Sequence, residues 1–350
     1  PEWVKKVEHD ETDILRKCIS CNVGCAGNRI GINRPIRCTV NPAVPEGDIY
    51  KRLRVNKNCN VVVIGGGTAG LEAACTAAEV GCNVFLFEKS DKLGGLSEFI
   101  SDLPSKTRMK DFPRYLRTRA ERLPNLYTFL NTEASIEEIN KFHPDIVVNA
   151  TGSHPVVPPI PGLRENRTAG NLDDIFIMIN NVNAGKYPEE FCRGKKVLVM
   201  GGGAVGLDII EYFAPLGADC TIVDMLPTIG AVADPITKCS IKETFEVNHV
   251  KQYVNTAIQE VKEHSIVVKT PEGNVEELEF DLGFSALGLA AYNPILDELH
   301  KEYDDTDVDV YNIGDSVRAR HIMEGTMDGR AILNVLDKRG LLDLSEIELA

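Results

Sequence analysis

The sequence lacks both a long apolar run and an excess of positive charge. No stretch of about 18 consecutive apolar residues and no signal peptide occur, so we expect a soluble protein with no membrane partner. The 52 acidic residues outnumber the 38 lysines and arginines, which gives a net charge of −14. Because phosphate backbones are bound by clustered Lys and Arg, we also expect no nucleic-acid partner.

An initiator methionine is absent as well. The chain begins Pro1-Glu2-Trp3, and the stretch up to Lys17 is mostly polar. We interpret this stretch as a tether, and we expect the chain to be a processed product or a piece of a longer polypeptide. Its ten cysteines, most of them scattered singly, fit a reducing compartment, for which the cytoplasm is the default.

Four of the cysteines lie close together near the start of the chain: Cys18, Cys21, Cys25 and Cys38. Three thiols so close in sequence do not pair readily with one another, because disulfide geometry requires the chain to reverse between partners. Four thiolates suit a metal site, and zinc is the main alternative to an iron–sulfur cluster. The spacing favours a cluster, since zinc sites usually combine two C-x₂-C pairs or histidines, and only His9 is nearby. A redox cysteine pair is the remaining alternative.

Two segments of the chain match each other at a constant offset and without a gap. The first runs from Asn60 to Glu88 and the second from Lys196 to Asp224. In each, a short apolar strand meets a G-x-G-x-x-G turn, a helical stretch follows, and a second apolar strand ends in a carboxylate. The glycines of the turns are Gly65, Gly67 and Gly70 in the first copy and Gly201, Gly203 and Gly206 in the second.

This pattern is typical of a dinucleotide site. The glycines permit a tight turn and let a pyrophosphate approach the helix N-terminus, while Glu88 or Asp224 receives the ribose hydroxyls. A carboxylate also repels a 2′-phosphate, and residues 225–228 contain no Arg or Lys, so we expect the second site to prefer NADH over NADPH. A structural turn without a bound nucleotide is the alternative for either copy.

Further turns organise the chain into an α/β protein with two Rossmann-like domains, the second inserted in the first. Buried strands end at Ala150-Thr151-Gly152 and at Gly288, and a later strand ends at Gly314-Asp315. We predict a tether and cysteine segment over 1–49, a first domain over 50–158 and 290–350, and a second domain over 159–289.

With these motifs in this order, the chain resembles the C-terminal half of the iron–sulfur NADH:flavin oxidoreductase family, of the 2,4-dienoyl-CoA reductase, 2-enoate reductase and trimethylamine dehydrogenase type. The resemblance implies that Cys18, Cys21, Cys25 and Cys38 ligate a [4Fe–4S] cluster. It implies that FAD contacts the first fingerprint, and that NADH contacts the second. It assigns to FAD Gly65, Gly67, Gly70, Glu88, Gly94, Gly95 and Asp315, and to the nicotinamide nucleotide Gly201, Gly203, Gly206 and Asp224. The resemblance also implies further cofactor-binding residues in the other turns of this FAD/NAD-binding architecture: Ala150, Thr151, Gly152, Gly288 and Gly314.

Family members carry an N-terminal TIM barrel with FMN, where the organic substrate reacts, and this chain lacks it. We therefore expect no catalytic residue here, and an electron-input role in which hydride passes from NADH to FAD and electrons pass singly to the cluster. The expected partner is a barrel domain or subunit that reduces an activated C=C bond, and the full-length protein is a possible homo-oligomer. The alternatives are an amine-dehydrogenase type chain with outward electron flow and ADP in the second domain, or a non-catalytic nucleotide-binding subunit.

A disulfide reductase would share both nucleotide domains but needs two thiols against the flavin. Residues 89–130 contain no cysteine, and Cys192, Cys220 and Cys239 are too widely spaced to form a C-x₂-C or C-x₄-C motif. We therefore expect these three, like the other single cysteines, to pack as small apolar residues.

Overall fold

The computed structural model describes residues 3–44, 47, 49–343 and 345, so the predicted domain limits at residues 1 and 350 lie outside the described residues. The helices are α1 (Trp3–Glu8), α2 (Thr68–Glu79), α3 (Gly95–Ile100), α4 (Asp111–Glu121), α5 (Ile136–Asn140), α6 (Leu163–Ala169), α7 (Ile175–Asn183), α8 (Glu189–Cys192), α9 (Ala204–Phe213), α10 (Pro235–Val247), α11 (Leu296–Tyr303), α12 (Ile322–Arg330) and α13 (Ile332–Lys338). Short 3₁₀ turns cover Thr12–Ile14, Ile49–Arg52, Pro104–Lys110, Ala214–Leu216 and Gly314–Ser316, and a π-helix covers Val23–Gly31.

The strands alternate with these helices. They are β1 (Arg54–Val55), β2 (Asn60–Ile64), β3 (Asn83–Phe87), β4 (Leu126–Phe129), β5 (Ile146–Asn149), β6 (Ser153–Pro155), β7 (Leu172–Asp173), β8 (Lys196–Met200), β9 (Asp219–Val223), β10 (Lys251–Tyr253), β11 (Ala257–Val261), β12 (Ser265–Lys269), β13 (Val275–Glu279), β14 (Leu282–Ser285), β15 (Leu289–Ala291), β16 (Asp309–Asn312) and β17 (Leu342–Asp343). This βαβ alternation confirms the predicted α/β class with Rossmann-type parallel sheets.

The first sheet has the strand order β16-β5-β2-β3-β4, and all of its pairs are parallel. Its central strand shows why the apolar run is continuous. Val61 and Val63 point into a core shared with α2, α4 and α13, whereas Val62 and Ile64 point into a second core on the other face with α5 and α11. A parallel strand covered by helices on both faces needs apolar side chains at every position.

The second sheet repeats this arrangement with the order β10-β9-β8-β14-β7, again all parallel. Helix α9 covers one face with α7 and α10. An antiparallel meander of β11, β12 and β13 covers the other face, where Ile266 and Val268 are fully buried. The strands β2, β3, β4 and β5 of the first sheet thus correspond in position to β8, β9, β10 and β14 of the second.

The chain passes between the two sheets through an antiparallel ribbon of β6 and β15, in which His154 pairs with Ala290. Both crossings of the chain lie side by side there, which is how one Rossmann unit can be inserted in another. A second antiparallel pair, β1 with β17, joins the beginning and the end of the first unit through Val55 and Leu342.

The N-terminal segment is folded against the first sheet's helices. Leu15 is buried, and Val40 and Ala43 belong to the core under α2. Before Leu15, the stretch expected to be a tether contains helix α1, which buries none of its residues. Among the described residues, no helix combines the length and the apolar character needed to cross a membrane.

Candidate functional site

The turn after β2 has two positions at which only glycine fits. At Gly65, φ is +102°, and a Cβ would lie 2.3 Å from the carbonyl oxygen of Ala150. A Cβ at Gly70 would lie 2.0 Å from the carbonyl oxygen of Gly65. At Gly67, in contrast, a Cβ would meet no protein atom within 4 Å, and no side chain caps the helix that begins there. The open space and the uncapped N–H groups of α2 fit an anionic pyrophosphate.

Glu88 holds this turn from the neighbouring strand end. Its Oε2 accepts a hydrogen bond from the Gly66 N–H at 2.7 Å, and its Oε1 accepts from the N–H and the hydroxyl of Ser90 at 2.8 and 2.6 Å. The turn is closed from the other side, where the Gly94 N–H donates to the Gly66 carbonyl at 2.8 Å. Gly95 follows with φ of +53°, and a Cβ there would lie 2.9 Å from the Cα of Gly67.

The second turn has the same geometry. Gly201 has φ of +108°, and a Cβ on it would lie 2.3 Å from the Ala286 carbonyl oxygen. A Cβ on Gly206 would lie 1.9 Å from the Gly201 carbonyl oxygen. Gly203, which caps α9, again has no protein atom within 4 Å of a built Cβ. The second turn therefore has the same room for a pyrophosphate as the first.

Asp224 occupies the place of Glu88. Its Oδ2 accepts from the Gly202 N–H at 2.5 Å, and its Oδ1 accepts from the Leu226 N–H at 2.7 Å. The Gly230 N–H donates to the Gly202 carbonyl at 2.8 Å, as Gly94 does to Gly66 in the first copy. A carboxylate in this position orders the turn and keeps an oxygen near the place where a ribose would lie.

The repeat continues beyond the two glycine turns. Asp145 accepts the N–H of Asn60 at 2.8 Å, and Asp281 accepts the N–H of Lys196 at 2.8 Å, again at the offset that relates the two turns. The turns Ala150–Gly152 and Ala286–Gly288 have the same offset, and both end in a glycine with positive φ. The structure thus gives equivalent contacts to two segments, 145–152 and 281–288, that also have the same form in the sequence.

Asp315 lies beside the first turn. The preceding Gly314 approaches α2 so closely that a Cβ on it would lie 2.7 Å from the Cβ of Ala69. The Asp315 carboxylate accepts from the Ser153 hydroxyl at 3.2 Å and from the Arg320 N–H at 3.1 Å. Burial raises the pKa of Asp315 above its usual range, although these two hydrogen bonds act in the opposite direction.

Helix α12 begins shortly after Asp315. Its first turn is closed by Glu324, whose carboxylate accepts the His321 N–H at 3.1 Å. The hydrogen bond to Glu324 raises the pKa of His321, and the negative charge of Asp315 adds to this effect. The structure therefore brings Gly65, Gly67, Gly70, Glu88, Gly94, Gly95, Ala150, Thr151, Gly152, Gly314 and Asp315 to one edge of the first sheet.

The four N-terminal cysteines are free thiols of differing exposure. Cys18 and Cys25 are exposed, and Cys21 and Cys38 are half-buried. Burial raises the pKa of Cys21, and its thiol donates to the Thr39 hydroxyl at 3.1 Å.

In the part of the chain that the structure describes, no group of three or more His, Cys, Asp or Glu side chains is arranged to hold a metal ion. An all-thiol donor set has the chemistry of an iron–sulfur site. The structure thus supplies suitable donors without a ligating arrangement.

Arg16 fixes the base of the cysteine segment. Its guanidinium donates to the Tyr115 hydroxyl of α4 at 2.9 Å from Nε and 2.7 Å from Nη2, and its Nη1 donates to Asn41. Asn41 follows the last of the four cysteines, whereas Arg16 precedes the first. The Thr326 hydroxyl of α12 also donates to the Thr39 carbonyl at 2.9 Å. The segment is thus joined to the helix that begins beside Asp315.

Another contact, between the two sheet units, had no local signal in the sequence. Leu103, which precedes the turn Pro104–Lys110, is fully buried in the core of the second unit. Lys106 forms ion pairs with Asp208 at 2.7 Å and with Glu211 at 2.8 Å, both on α9. Burial alone would lower the pKa of Lys106, but the two carboxylates outweigh burial and raise it.

Comparison with known proteins agrees with this geometry. Residues 116–322 match the family described as pyridine nucleotide-disulphide oxidoreductase, and residues 60–100 match the one described as FAD dependent oxidoreductase. The chain is 34% identical over 332 residues to an NADH oxidase of Thermoanaerobacter brockii, covering 94% of this chain and 49% of that protein. It is 32% identical over 339 residues to a bilirubin reductase of Mediterraneibacter gnavus, covering 96% and 50%.

Among solved structures, a 2-naphthoyl-CoA reductase complex superposes with a TM-score of 0.79 at 27% identity, over 93% of this chain and 47% of that one. The chain therefore spans about half the length of the relatives it matches. Its match to the first family covers more than half of its own residues. Two Rossmann-type turns of the same geometry, in units of which one is inserted within the other, agree with that match. The chain belongs to the pyridine nucleotide-disulphide oxidoreductase family as an FAD-dependent oxidoreductase.

Proposed function

We propose that this chain is the electron-input half of an NADH-dependent flavin and iron–sulfur oxidoreductase. The first turn would hold FAD, the second NADH, and Cys18, Cys21, Cys25 and Cys38 a [4Fe–4S] cluster. FAD would contact the residues gathered at the edge of the first sheet, and NADH would contact Gly201, Gly203, Gly206, Asp224 and Gly288. When bound, FAD accepts a hydride and the cluster carries single electrons.

The observation that carries this proposal is the complete second turn. Gly203 has the same open space as Gly67, and Asp224 takes the same place as Glu88. A second unit that served only as scaffold would have no need of an uncapped helix N-terminus facing a carboxylate. The space supports binding of a second dinucleotide in the 159–289 domain, with FAD in the domain formed by 50–158 and 290–350.

The residues around Asp224 support NADH over NADPH. The Asp224 carboxylate would accept a 2′-hydroxyl and repel a 2′-phosphate. The residues that follow are Met225 and Leu226, with exposed fractions of 73% and 54%, so they offer no cation to a phosphate. The role of this chain's own residues is to bind and orient the two nucleotides, and none of them is proposed to transfer a proton.

The reaction of the whole protein is proposed from its relatives. Two of them are named as reductases of bilirubin and of 2-naphthoyl-CoA, whose acceptors are conjugated systems. We infer that electrons entering here reduce an activated C=C bond in a domain outside the residues of this chain, and that this domain carries FMN in a TIM barrel. The absence of a C-x₂-C or C-x₄-C motif in 89–130 disfavours disulfide reduction.

Rapid anaerobic mixing tests the proposal. The purified, FAD-loaded chain is mixed with NADH, and the flavin absorbance is followed. We expect NADH to bleach the flavin band and NADPH to do so more slowly. A flavin that is stable to NADH would contradict the proposal and favour the amine-dehydrogenase type, with ADP in the second unit. A chain that never retains flavin would favour a non-catalytic subunit.

A further inference from the structure

One run of residues between the third and fourth N-terminal cysteines is exposed throughout. Residues 29–37 read R-I-G-I-N-R-P-I-R, and each is exposed. The exposed fractions of Ile30, Ile32 and Ile36 are 68%, 58% and 49%. Single exposed apolar residues are ordinary on protein surfaces, whereas several in one patch mark an interaction site. We call residues 29–37 the Arg–Ile segment.

The charge of this region is opposite to that of the chain. From residue 15 to residue 44 there are five basic residues and no acidic one, although the net charge of the whole chain is −14. Two of the five are engaged, since Arg16 donates to Tyr115 and Lys17 lies 3.6 Å from the carboxylate of Asp111. The other three are Arg29, Arg34 and Arg37.

These three arginines have no carboxylate of a described residue within ion-pair distance. Arg29 donates to the Asn33 side chain at 2.7 Å, and Arg37 donates to the Met327 sulfur at 3.5 Å. Within the part of the chain that the structure describes, the three guanidinium groups thus have no ion-pair partner, and a partner domain with carboxylates would complement them.

The Arg–Ile segment comprises the end of the π-helix and the loop after it, and backbone hydrogen bonds join it to the residues before it. The Arg37 N–H donates to the Gly24 carbonyl at 2.8 Å, and the Arg34 N–H donates to the Asn28 carbonyl at 2.8 Å. Behind it, a Cβ on Gly31 would lie 3.3 Å from the Pro235 ring of α10. A surface held from behind in this way presents its side chains outward with little further loss of conformational entropy on binding.

We propose that the Arg–Ile segment is a docking surface for one partner: the domain that makes up the half of the relatives which this chain does not match. Three exposed isoleucines favour a permanent contact, because the cores of lasting interfaces are more apolar than those of transient ones. The arginines predict that the face of that domain carries carboxylates around an apolar centre. The segment lies between Cys25 and Cys38, so docking there would bring the partner to the cysteines. This inference rests on the proposed function for the identity of the partner.

The test uses the purified chain and the unmatched half of the Thermoanaerobacter brockii NADH oxidase, produced separately and checked for folding by a cooperative thermal transition. Isothermal titration calorimetry or surface plasmon resonance measures the dissociation constant of the two halves. We expect the I30S/I32S variant to bind at least tenfold more weakly than wild type. The matched control is V247S/V275S, whose side chains have exposed fractions of 69% and 68% on α10 and β13 and should bind within twofold of wild type.

The contribution of the arginines to docking is measured separately, through the association rate. The R29Q/R34Q variant should associate more slowly and lose most of the dependence of the association rate on ionic strength. Hydrogen exchange of peptide 29–37 in wild type should slow on addition of the partner half, whereas exchange of the β13 peptide should not.

Three outcomes would overturn the proposal: no binding by wild type, equal weakening by I30S/I32S and V247S/V275S, or concentration-dependent self-association that I30S/I32S abolishes in place of partner binding. Failure of the proposed function is distinguishable, because bleaching of FAD by NADH needs only the two nucleotide turns. Bleaching should be unchanged in I30S/I32S and R29Q/R34Q, and its loss in wild type would contradict the proposed function while leaving the binding result intact.

Discussion

The two nucleotide turns have nearly the same backbone but different surroundings. Glu88 is 8% exposed, and both of its carboxylate oxygens are engaged by Gly66 and Ser90. Asp224 is half-buried and is followed by exposed side chains. Gly95 closes over Gly67 in the first turn, whereas the equivalent position in the second turn is the exposed Ala231.

The strands next to the two turns differ in how completely their buried polar side chains are hydrogen-bonded. Asn149 in the first sheet donates to Asn293 and Asn312, both at 2.9 Å. Its equivalent in the second sheet is Ser285, a buried hydroxyl without a hydrogen-bond partner among the described residues. A satisfied polar network makes a rigid, single-state site, and an unsatisfied one is less strictly held.

These surroundings show how one supersecondary unit can serve two purposes. The first turn is the more enclosed, and the carboxylate that orders it is buried and hydrogen-bonded at both oxygens, as suits a cofactor that stays bound. The second is open at its rim, as suits a nucleotide that enters and leaves at each turnover. The backbone geometry sets the class of ligand, and the surroundings set how long it stays.

The strongest effect should come from adding one methyl group to each turn. Gly67→Ala and Gly203→Ala should leave stability within about 0.5 kcal/mol, since a Cβ meets no protein atom within 4 Å at either position. Each should weaken its own nucleotide about a hundredfold, or about 2.8 kcal/mol. Urea unfolding and nucleotide titration of both variants check this. Loss of FAD in Gly203→Ala, or no loss in Gly67→Ala, would contradict the assignment of the turns.

Removal of the Glu88 or the Asp224 carboxylate should have a smaller effect, and the two substitutions should lower the unfolding free energy by different amounts. Glu88→Ala leaves the buried Gly66 N–H without an acceptor and should cost about 1–3 kcal/mol of unfolding free energy. Asp224→Ala removes the acceptor of the Gly202 N–H as well as that of the Leu226 N–H. It should cost less, about 0.5–1 kcal/mol, because the first of these hydrogen bonds is only partly buried and the second is exposed to water. It should also narrow the preference for NADH over NADPH. Equal costs in urea unfolding would contradict the comparison of an enclosed turn with an open one.

The contact between the units gives a prediction about pH. Burial raises the pKa of Asp208 even with Lys106 beside it. Lys106→Met removes the cation that faces Asp208 and Glu211, and should cost about 1–2 kcal/mol near neutral pH. A carboxyl whose folded-state pKa is raised favours the folded state when protonated, so the cost should shrink as pH falls through that pKa. Urea unfolding at neutral and at acidic pH checks this against Lys110→Met, whose partner Asp102 lies 3.0 Å away in an exposed pair. A cost that is independent of pH would contradict it.

The smallest effect concerns the thiols and leaves stability unchanged. In metal-free protein, the exposed Cys18 and Cys25 should be alkylated by iodoacetamide before Cys21, whose pKa burial raises and whose thiolate is therefore scarce. Cys75 is fully buried with a pKa raised to about 12, and should react only on unfolding. Peptide mass spectrometry over time gives the order. Early alkylation of Cys21 would contradict the burial of that thiol.

Much of this fold was predictable because the repeat is local. The strand, turn, helix and acid from Asn60 to Glu88 lie within one stretch of sequence, and the glycines carry their own steric reason. The segments that begin at Asp145 and Asp281 also have the same form in the sequence, and the two aspartates accept equivalent backbone hydrogen bonds. Leu103 and Lys106 could not be found in this way, because their partners lie far along the chain and leave no periodic trace.

For the cysteine segment, less of the structure could be predicted from the sequence. Its spacing predicts four metal ligands, and the structure gives four free thiols of differing exposure. What the spacing did not predict is the closure by Arg16, Asn41 and Tyr115, since a single arginine joining two distant positions has no sequence signature. The residues of the Arg–Ile segment are visible in the sequence, but their exposure is not.

Retention of the two nucleotides during exhaustive dialysis gives the sharpest test of the difference between the two turns. The chain is saturated with FAD and NADH under anaerobic conditions, dialysed exhaustively against buffer, and its retained nucleotides are quantified after denaturation. The enclosed first turn predicts that FAD remains in stoichiometric amount while NADH and NAD⁺ are lost, and that Gly67→Ala alone abolishes the retention. Retention of the nicotinamide nucleotide with loss of FAD, or equal loss of both from the wild-type chain, would contradict the account.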